Sequence, residues 1–246
     1  MNNDRIISNC KILLNAYHSG RLGNTKMPED SHPEFSSDEE RLVYFTLPMS
    51  LNYQRSSYAL WESCLKTHND EETKLIFDIN NSAAIKEDVL RKYLLKHKIA
   101  LQPNKHIKTW GTIAKTIAEN FGSVKNLLKR ADYDFLKLKE IVQKTHKKRF
   151  PYLSGPKIFN YWCFILRWYC NVDLKNSEFI DIAPDTHVTR CSVRLGVITS
   201  QEAEKLSKEK ISERWRKILE GSGINPIDMH APLWFWSKNG FIFKLK

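Results

Sequence analysis

The segment from Lys157 to Cys170, KIFNYWCFILRWYC, is apolar almost all round. A helix with no polar face belongs in the interior, so the rest of the chain must supply elements that enclose it. Its longest unbroken apolar run is the six residues Tyr161 to Leu166, whereas a bilayer span needs about 20. The segment therefore predicts a core helix of a globular protein, not a membrane anchor.

The flanking sequence offers helices to do the enclosing. A short helical pattern runs from Ile6 to Tyr17, followed by a polar, turn-rich stretch from His18 to Asp38 that reads as a loop. Ser36, Ser37 or Asp38 can cap the next helix, and the acidic opening Asp38-Glu39-Glu40 suits its positive end. From Arg41 to Leu65 two helical pieces are expected, with a joint at Pro48 and the polar cluster Asn52, Gln54, Arg55, Ser56 and Ser57. Residues 70–146 repeat amphipathic helical patterns, including Lys86 to Lys96, Trp110 to Phe121 and Phe135 to Lys144. Joints are expected at Asn80 to Ala83, Gln102 to Lys105 and Gly122. Beyond the core helix come Thr186 to Leu195, closed by Gly196, a basic amphipathic helix from Glu202 to Leu219, and an aromatic tail, NPIDMHAPLWFWSKNGFIF. No period-2 alternation of useful length occurs. The expectation is an all-α protein of one domain or two intimately packed subdomains.

Lys and Arg total 39 against 28 Asp and Glu, a formal charge of +11. A balance so basic suits a partner rich in phosphate, although ribosome-adjacent and membrane-surface proteins share it. The N-terminal MNNDRIISNCK lacks the apolar stretch of a signal peptide. Five cysteines, an odd number with no CxxC pair, point to reduced thiols in an intracellular setting, in the cytoplasm or nucleoid or in a nucleus.

Four constellations carry chemistry. The first is the turn Phe150-Pro-Tyr-Leu-Ser154-Gly155-Pro156-Lys157. Gly155 can serve as N-cap and Pro156 as first helical residue, which leaves Lys157 in the first turn of the apolar helix. Dipole and desolvation would both depress its amine there, as a nucleophile near neutral pH requires; the structural alternative is a stem that covers core while its head reaches water. The second is Pro184-Asp185-Thr186-His187-Val188, where Asp185 can cap a helix or stabilise a developing positive charge. The third is Asn52-Tyr53-Gln54-Arg55-Ser56-Ser57, suited to a duplex or a phosphate, or else a polar helix face. The fourth is the basic run Lys144-Thr-His-Lys147-Lys148-Arg149, which reads as a solvated face unless the adjoining turn brings it to a backbone.

Taken in order, LSGPKIFNYWCFIL and PDTHVTRCSVRLG resemble the helix-hairpin-helix (HhH-GPD) DNA glycosylases of the endonuclease III superfamily. Leu153, Gly155, Lys157 and Asn160 match the hairpin motif, and Asp185, Thr186, His187, Val188, Arg190, Arg194, Leu195 and Gly196 match the second motif. The LNYQ segment, the step from Lys157 to Asp185 and the tail IDMHAPLWFW look most similar to the archaeal-type 8-oxoguanine glycosylases. The resemblance runs from about residue 42 to 240. The hairpin is shorter than the family's and has a single glycine, Gly155.

The resemblance implies one HhH-GPD glycosylase domain across residues 1–246. The hairpin and catalytic lysine would lie around 140–170, and the catalytic aspartate loop and helix around 181–196. It implies excision of an oxidised purine such as 8-oxoguanine from double-stranded DNA, with associated AP lyase activity. Lys157 would be the nucleophile, Asp185 the stabilising carboxylate, and Gln54 the plug for the hole left by the flipped base. Arg55, Lys147, Lys148, Arg149, Ser154, Gly155, His187 and Arg190 would contact DNA. Trp61, Trp162, Asp228, His230 and Trp234 are candidates for the base pocket. A monomer is expected, with no membrane partner, no metal ligands and no iron-sulfur cluster, since Cys163, Cys170 and Cys191 fall on or near core helices. A monovalent cation at the hairpin is the one cofactor the family pattern suggests. The rival readings are a non-catalytic DNA- or RNA-binding protein of the same fold, and a glycosidase acting on a modified nucleoside or RNA.

Overall fold

The computed structural model describes residues 3–245, and among them no strand forms. The helices are α1 (Asn3–His18), α2 (Asp38–Thr46), α3 (Ser57–His68), α4 (Ile79–Ala84), α5 (Glu87–Lys96), α6 (Pro103–Phe121), α7 (Val124–Arg130), α8 (Phe135–Lys139), α9 (Pro156–Tyr169), α10 (Thr186–Leu195), α11 (Ser200–Lys205), α12 (Lys208–Leu219) and α13 (His230–Lys238). The protein is all-α, as the patterning predicts. The chain divides into two compact units: Pro28–Lys175, and a second formed by the two ends, up to Met27 and from Asn176 onward.

Capping explains most of the boundaries. Ser37 starts α2 by accepting the Glu40 amide, and three acidic residues fill its first turn. Gly155 is the N-cap of α9 and Pro156 its first residue, as expected. Gly122 ends α6 at φ 78° and Gly196 ends α10 at φ 80°, where a side chain would be strained.

Three expectations are corrected. Asn80–Ala83 is not a joint but lies inside α4, because the Asp78 carboxylate accepts the Asn81 amide and caps a helix there. The single helix expected from Glu202 to Leu219 is two, because Ser207 accepts the Lys210 amide and restarts the chain as α12. The pattern from Phe135 to Lys144 is helical throughout, but after Lys139 it widens into a π turn, Glu140–Thr145.

In the Pro28–Lys175 unit, Tyr44, Phe45, Trp61, Phe77, Trp110, Phe135, Phe150, Phe159 and Trp162 are fully enclosed. Each buried indole gives its N–H to an oxygen: Trp61 to Glu29, Trp110 to Ser82 and Trp162 to Thr46, at 2.7, 2.7 and 3.1 Å. The core helix α9 packs on α2 and, through Phe159 against Phe135, on α8. Its ends reach the surface: Lys157 is exposed at the first turn and Trp168 is 52% exposed at the last. In the other unit α10 packs on α13, and α1 on α12 and α13, around Leu13, Trp215, Leu233 and Phe235. Trp215 donates to Ser192 at 2.8 Å.

Candidate functional site

Within Pro28–Lys175, three features meet around one hairpin. The π turn leads into a 3-10 turn, Lys147–Arg149, whose three basic side chains are all exposed. A π turn places its carbonyls off the regular ladder, a geometry found often at functional positions. The loop that follows is tied by the Ser154 hydroxyl donating to the Lys147 carbonyl at 3.2 Å and by Gln143 donating to the Ser154 carbonyl at 3.0 Å. Gly155 has an ordinary φ of −68°, but a Cβ there would lie 3.1 Å from the Tyr152 carbonyl. The left-handed position in this hairpin belongs instead to Tyr152, at φ 61°.

Tyr152 stacks on Tyr53, which adjoins the second feature, the loop Asn52–Ser56. Gln54 forms its exposed tip at φ 51°, and its amide oxygen accepts from Gln102 at 3.4 Å. Arg55 does not point outward. Its guanidinium donates to the carbonyls of Lys98 and Ile99, and burial pulls its pKa down. Its Nε, the Tyr53 hydroxyl and His106 Nε2 are buried without a hydrogen-bond partner. His106 Nδ1 accepts the Leu101 amide, so the neutral ring carries its proton on Nε2, and burial brings its pKa down to about 4.

The third feature is Lys157, the second residue of α9. It is exposed, which matches the alternative of a stem over core with its head in water. Asn160, one turn on, is buried and donates to the Pro156 carbonyl at 2.8 Å, bracing that turn. Trp61 and Trp162 are 1% and 0% exposed and offer no open ring face in this structure. Arg149 is partly engaged: its carbonyl accepts from Thr116, and its guanidinium approaches Asn120 at 3.5 Å.

No family model and no curated protein matches this sequence.

The second unit holds the other candidates. Asp185 is the N-cap of α10, half-buried, its Oδ1 accepting the Val188 amide at 2.9 Å while its own carbonyl accepts from Thr189. Thr189 in turn receives Lys208 at 2.9 Å, a contact the sequence does not advertise. His187 Nδ1 pairs with Ser237 Oγ at 3.1 Å, and its ring meets the half-buried Trp234 edge-on at 5.3 Å. The Lys238 ammonium lies 4.5 Å from the centroid of the Trp234 ring. Arg190 is exposed, whereas Arg194 is spread over the Phe241 ring at 4.4 Å. Asp228 is half-buried, and His230 is buried at the start of α13.

All five cysteines are free thiols; Cys10, Cys170 and Cys191 are pushed up to about 12 by burial, which makes them inert. Among the described residues no three His, Cys, Asp or Glu gather as metal ligands, and no helix is long and apolar enough to cross a membrane.

The residue that sequence reasoning missed is Glu29. It has no exposed surface, and its Oε1 accepts from Trp61 at 2.7 Å and from the Tyr161 hydroxyl at 3.1 Å. Nothing in PEDSHPE signals burial.

Proposed function

We propose that the protein is a helix-hairpin-helix DNA glycosylase with AP lyase activity that excises an oxidised purine such as 8-oxoguanine. The observation that carries this reading is the hairpin into α9: a basic turn, a tied Ser154-Gly155-Pro156 corner, and an exposed lysine on the second residue of a buried helix. The motifs around Lys157 and Asp185 resemble that family, and the +11 charge suits a duplex partner.

The chemistry assigns each group a task. Breaking the N-glycosidic bond develops positive charge on the sugar, which a carboxylate stabilises; Asp185 is the group for that role. The Lys157 amine attacks C1′ as the base leaves with the bonding electron pair, and the ring-opened sugar is held as a Schiff base. Loss of the C2′ proton then expels the 3′ phosphate by β-elimination. Gln54, at the tip of its loop, fills the space left in the stack. Lys147, Lys148 and Arg149 hold the phosphate backbone.

Borohydride trapping on an 8-oxoguanine duplex tests the reading. The wild-type protein should yield a covalent adduct, and Lys157→Gln should yield none while still binding duplex. An adduct of undiminished yield from the variant assigns the nucleophile elsewhere; no adduct and no base release from wild type on any damaged duplex rejects the activity.

A further inference from the structure

The C-terminal end of α6 gathers two guanidinium groups. Arg130, in the last turn of α7, donates through Nη1 to the Asn120 carbonyl at 3.4 Å, and its guanidinium lies 5.6 Å from the centroid of the Phe121 ring. Arg149, on the basic turn, approaches the Asn120 side chain, with Nη1 at 3.5 Å from Oδ1. The amide is oriented for this contact, because Nδ2 donates to the Thr116 carbonyl at 2.9 Å and leaves Oδ1 to accept. The Thr116 hydroxyl also donates to the Arg149 carbonyl at 3.3 Å, so α6 holds the end of the turn by its backbone as well. On the other side of Phe121 lies His146, edge-on at 5.6 Å. All of these residues belong to the Pro28–Lys175 unit.

An arginine on the last carbonyls of a helix is an ordinary cap, and that accounts for one N–H of Arg130. It does not account for the second arginine beside it. Both side chains are exposed, each guanidinium has further N–H donors, and among the described residues neither meets a carboxylate. Elsewhere the chain joins surface arginines to acids, Arg216 to Asp181 and Arg214 to Glu202. Here two like charges are drawn to one neutral asparagine, which costs repulsion and presents two planar forks to a single anion. Phosphate suits such forks, since its oxygens accept from a guanidinium in pairs. A guanidinium already resting on a ring and a carbonyl also loses less freedom when it binds.

We propose that Arg130 and Arg149, brought together on Asn120, clamp a single backbone phosphate of duplex DNA. The clamp extends the phosphate-binding surface from the basic turn, across the end of α6, to α7. It rests on the reading of a DNA duplex as the partner. Arg130 touches the phosphate, and Asn120 is a positioning residue that sets the gap between the two guanidinium groups.

Affinity for a short undamaged duplex, measured against salt for wild type, Arg130→Gln, Arg149→Gln and the double variant, tests the clamp. Each single variant should bind about tenfold more weakly. The double variant should lose less than the two single losses multiplied, because both groups serve one phosphate. Its salt slope should flatten by about 1, where two separate phosphates would give about 2. Asn120→Asp probes the same point with both arginines kept: a carboxylate between them is a built-in counterion, so this variant should bind as weakly as the double one. Asn81→Asp is the control of equal charge. It lies on α4 beside Ser82, which accepts the Trp110 indole, and Trp110 is about 15 Å along α6 from Asn120; its affinity should stay near wild type. Binding by Arg130→Gln equal to wild type, with the same slope, overturns the clamp, and an 8-oxoguanine adduct still formed by that variant leaves the glycosylase reading intact. The expected losses in a protein whose wild type forms no adduct keep the clamp and reject the activity. Fully multiplicative losses with a slope flattened by about 2 overturn the sharing of one phosphate. Losses confined to single-stranded RNA or to anionic phospholipid vesicles, or no duplex binding by wild type, overturn the choice of partner.

Discussion

The rings of Tyr53 and Tyr152 lie face to face, their centroids 4.1 Å apart and their planes inclined by 13°. One ring belongs to the loop that carries Gln54, the other to the hairpin that delivers Lys157. Both backbones are strained at this contact: Tyr152 itself has φ 61°, and Gln54, next to Tyr53, has φ 51°. Non-glycine residues hold such angles only where their surroundings over-determine them. The stack ties the loop that carries Gln54 to the hairpin.

Removing the ring should therefore act on both segments. Tyr152→Ala should lower stability by about 1 kcal/mol, the worth of an aromatic pair, and speed amide exchange at Gln54 as well as at Ser154. Tyr152→Gly loses the same stack but relieves the left-handed backbone, so it should be the more stable of the two variants. Urea melts rank them. If Ala is the more stable, the positive φ carries no strain, and faster exchange confined to the hairpin would show that the stack does not join the two segments.

What was legible in the sequence is what is local. Ser37, Gly155-Pro156, Asp185 and Gly196 mark helix ends through bonds to residues within a turn, so their identity suffices. Local competition also explains the errors, since Asp78 and Ser207 each cap a helix that periodicity alone did not require. The π turn at Glu140–Thr145 carries no residue signature. Glu29 was illegible for a different reason: its partners are 32 and 132 residues away, and only folding brings them together. Lys157 sits in the first turn of its helix, as the Gly155-Pro156 start implies, and its head is in water, the alternative the sequence offers to a desolvated amine. The apolar face of α9 begins with Phe159, so the first turn stays in water.

Asp185 poses a choice between cap and catalyst that one atom decides. Asparagine caps a helix nearly as well as aspartate, so Asp185→Asn should keep the Val188 contact and melt within about 0.5 kcal/mol of wild type. An amide cannot offset a cationic sugar, so base excision should fall by about a hundredfold or more. Single-turnover rates on an 8-oxoguanine duplex separate the roles; activity within about threefold of wild type makes Asp185 a cap and nothing else.

Glu29 should also leave a mark on stability. Its folded pKa, about 7, lies above its ordinary 4.5. Below the lower value both states are protonated and nothing is lost. Between the two, the unfolded chain releases a proton that the folded protein retains, so stability falls as pH rises across this window and levels off above it. The full loss is on the order of 3 kcal/mol. Glu29→Gln should flatten that slope and be the more stable protein at pH 8, by chemical denaturation at fixed temperature. His106 acts in the opposite sense, since its folded pKa of about 4 lies below the ordinary 6.5, so stability falls as pH drops between these values. Comparing each variant with wild type, not reading one curve, keeps the two apart. A slope unchanged in Glu29→Gln would mean that the carboxyl titrates as it does in water.

The basic turn is the remaining element whose role is open to a direct test. Lys147, Lys148 and Arg149 are exposed on one 3-10 turn, and the Ser154 hydroxyl ties the Lys147 carbonyl to the corner that starts α9. On the proposed reading these side chains would meet phosphates, not bases. Each phosphate neutralised releases condensed counterion and adds about 0.9 to the slope of log affinity against log salt. Replacing all three by glutamine leaves the backbone ties in place. The triple variant should bind damaged and undamaged duplexes more weakly by similar factors, and its salt slope should flatten by about 2 to 3. The chemical step at saturating enzyme should hardly change, because in the proposed role these groups would position the strand and not touch the sugar. Should the variant bind as wild type does, with the same slope, the turn is only a solvated helix end, and the phosphate-binding surface lies elsewhere. Arg190 is then the next residue to test, since Arg194 is already committed to the Phe241 ring.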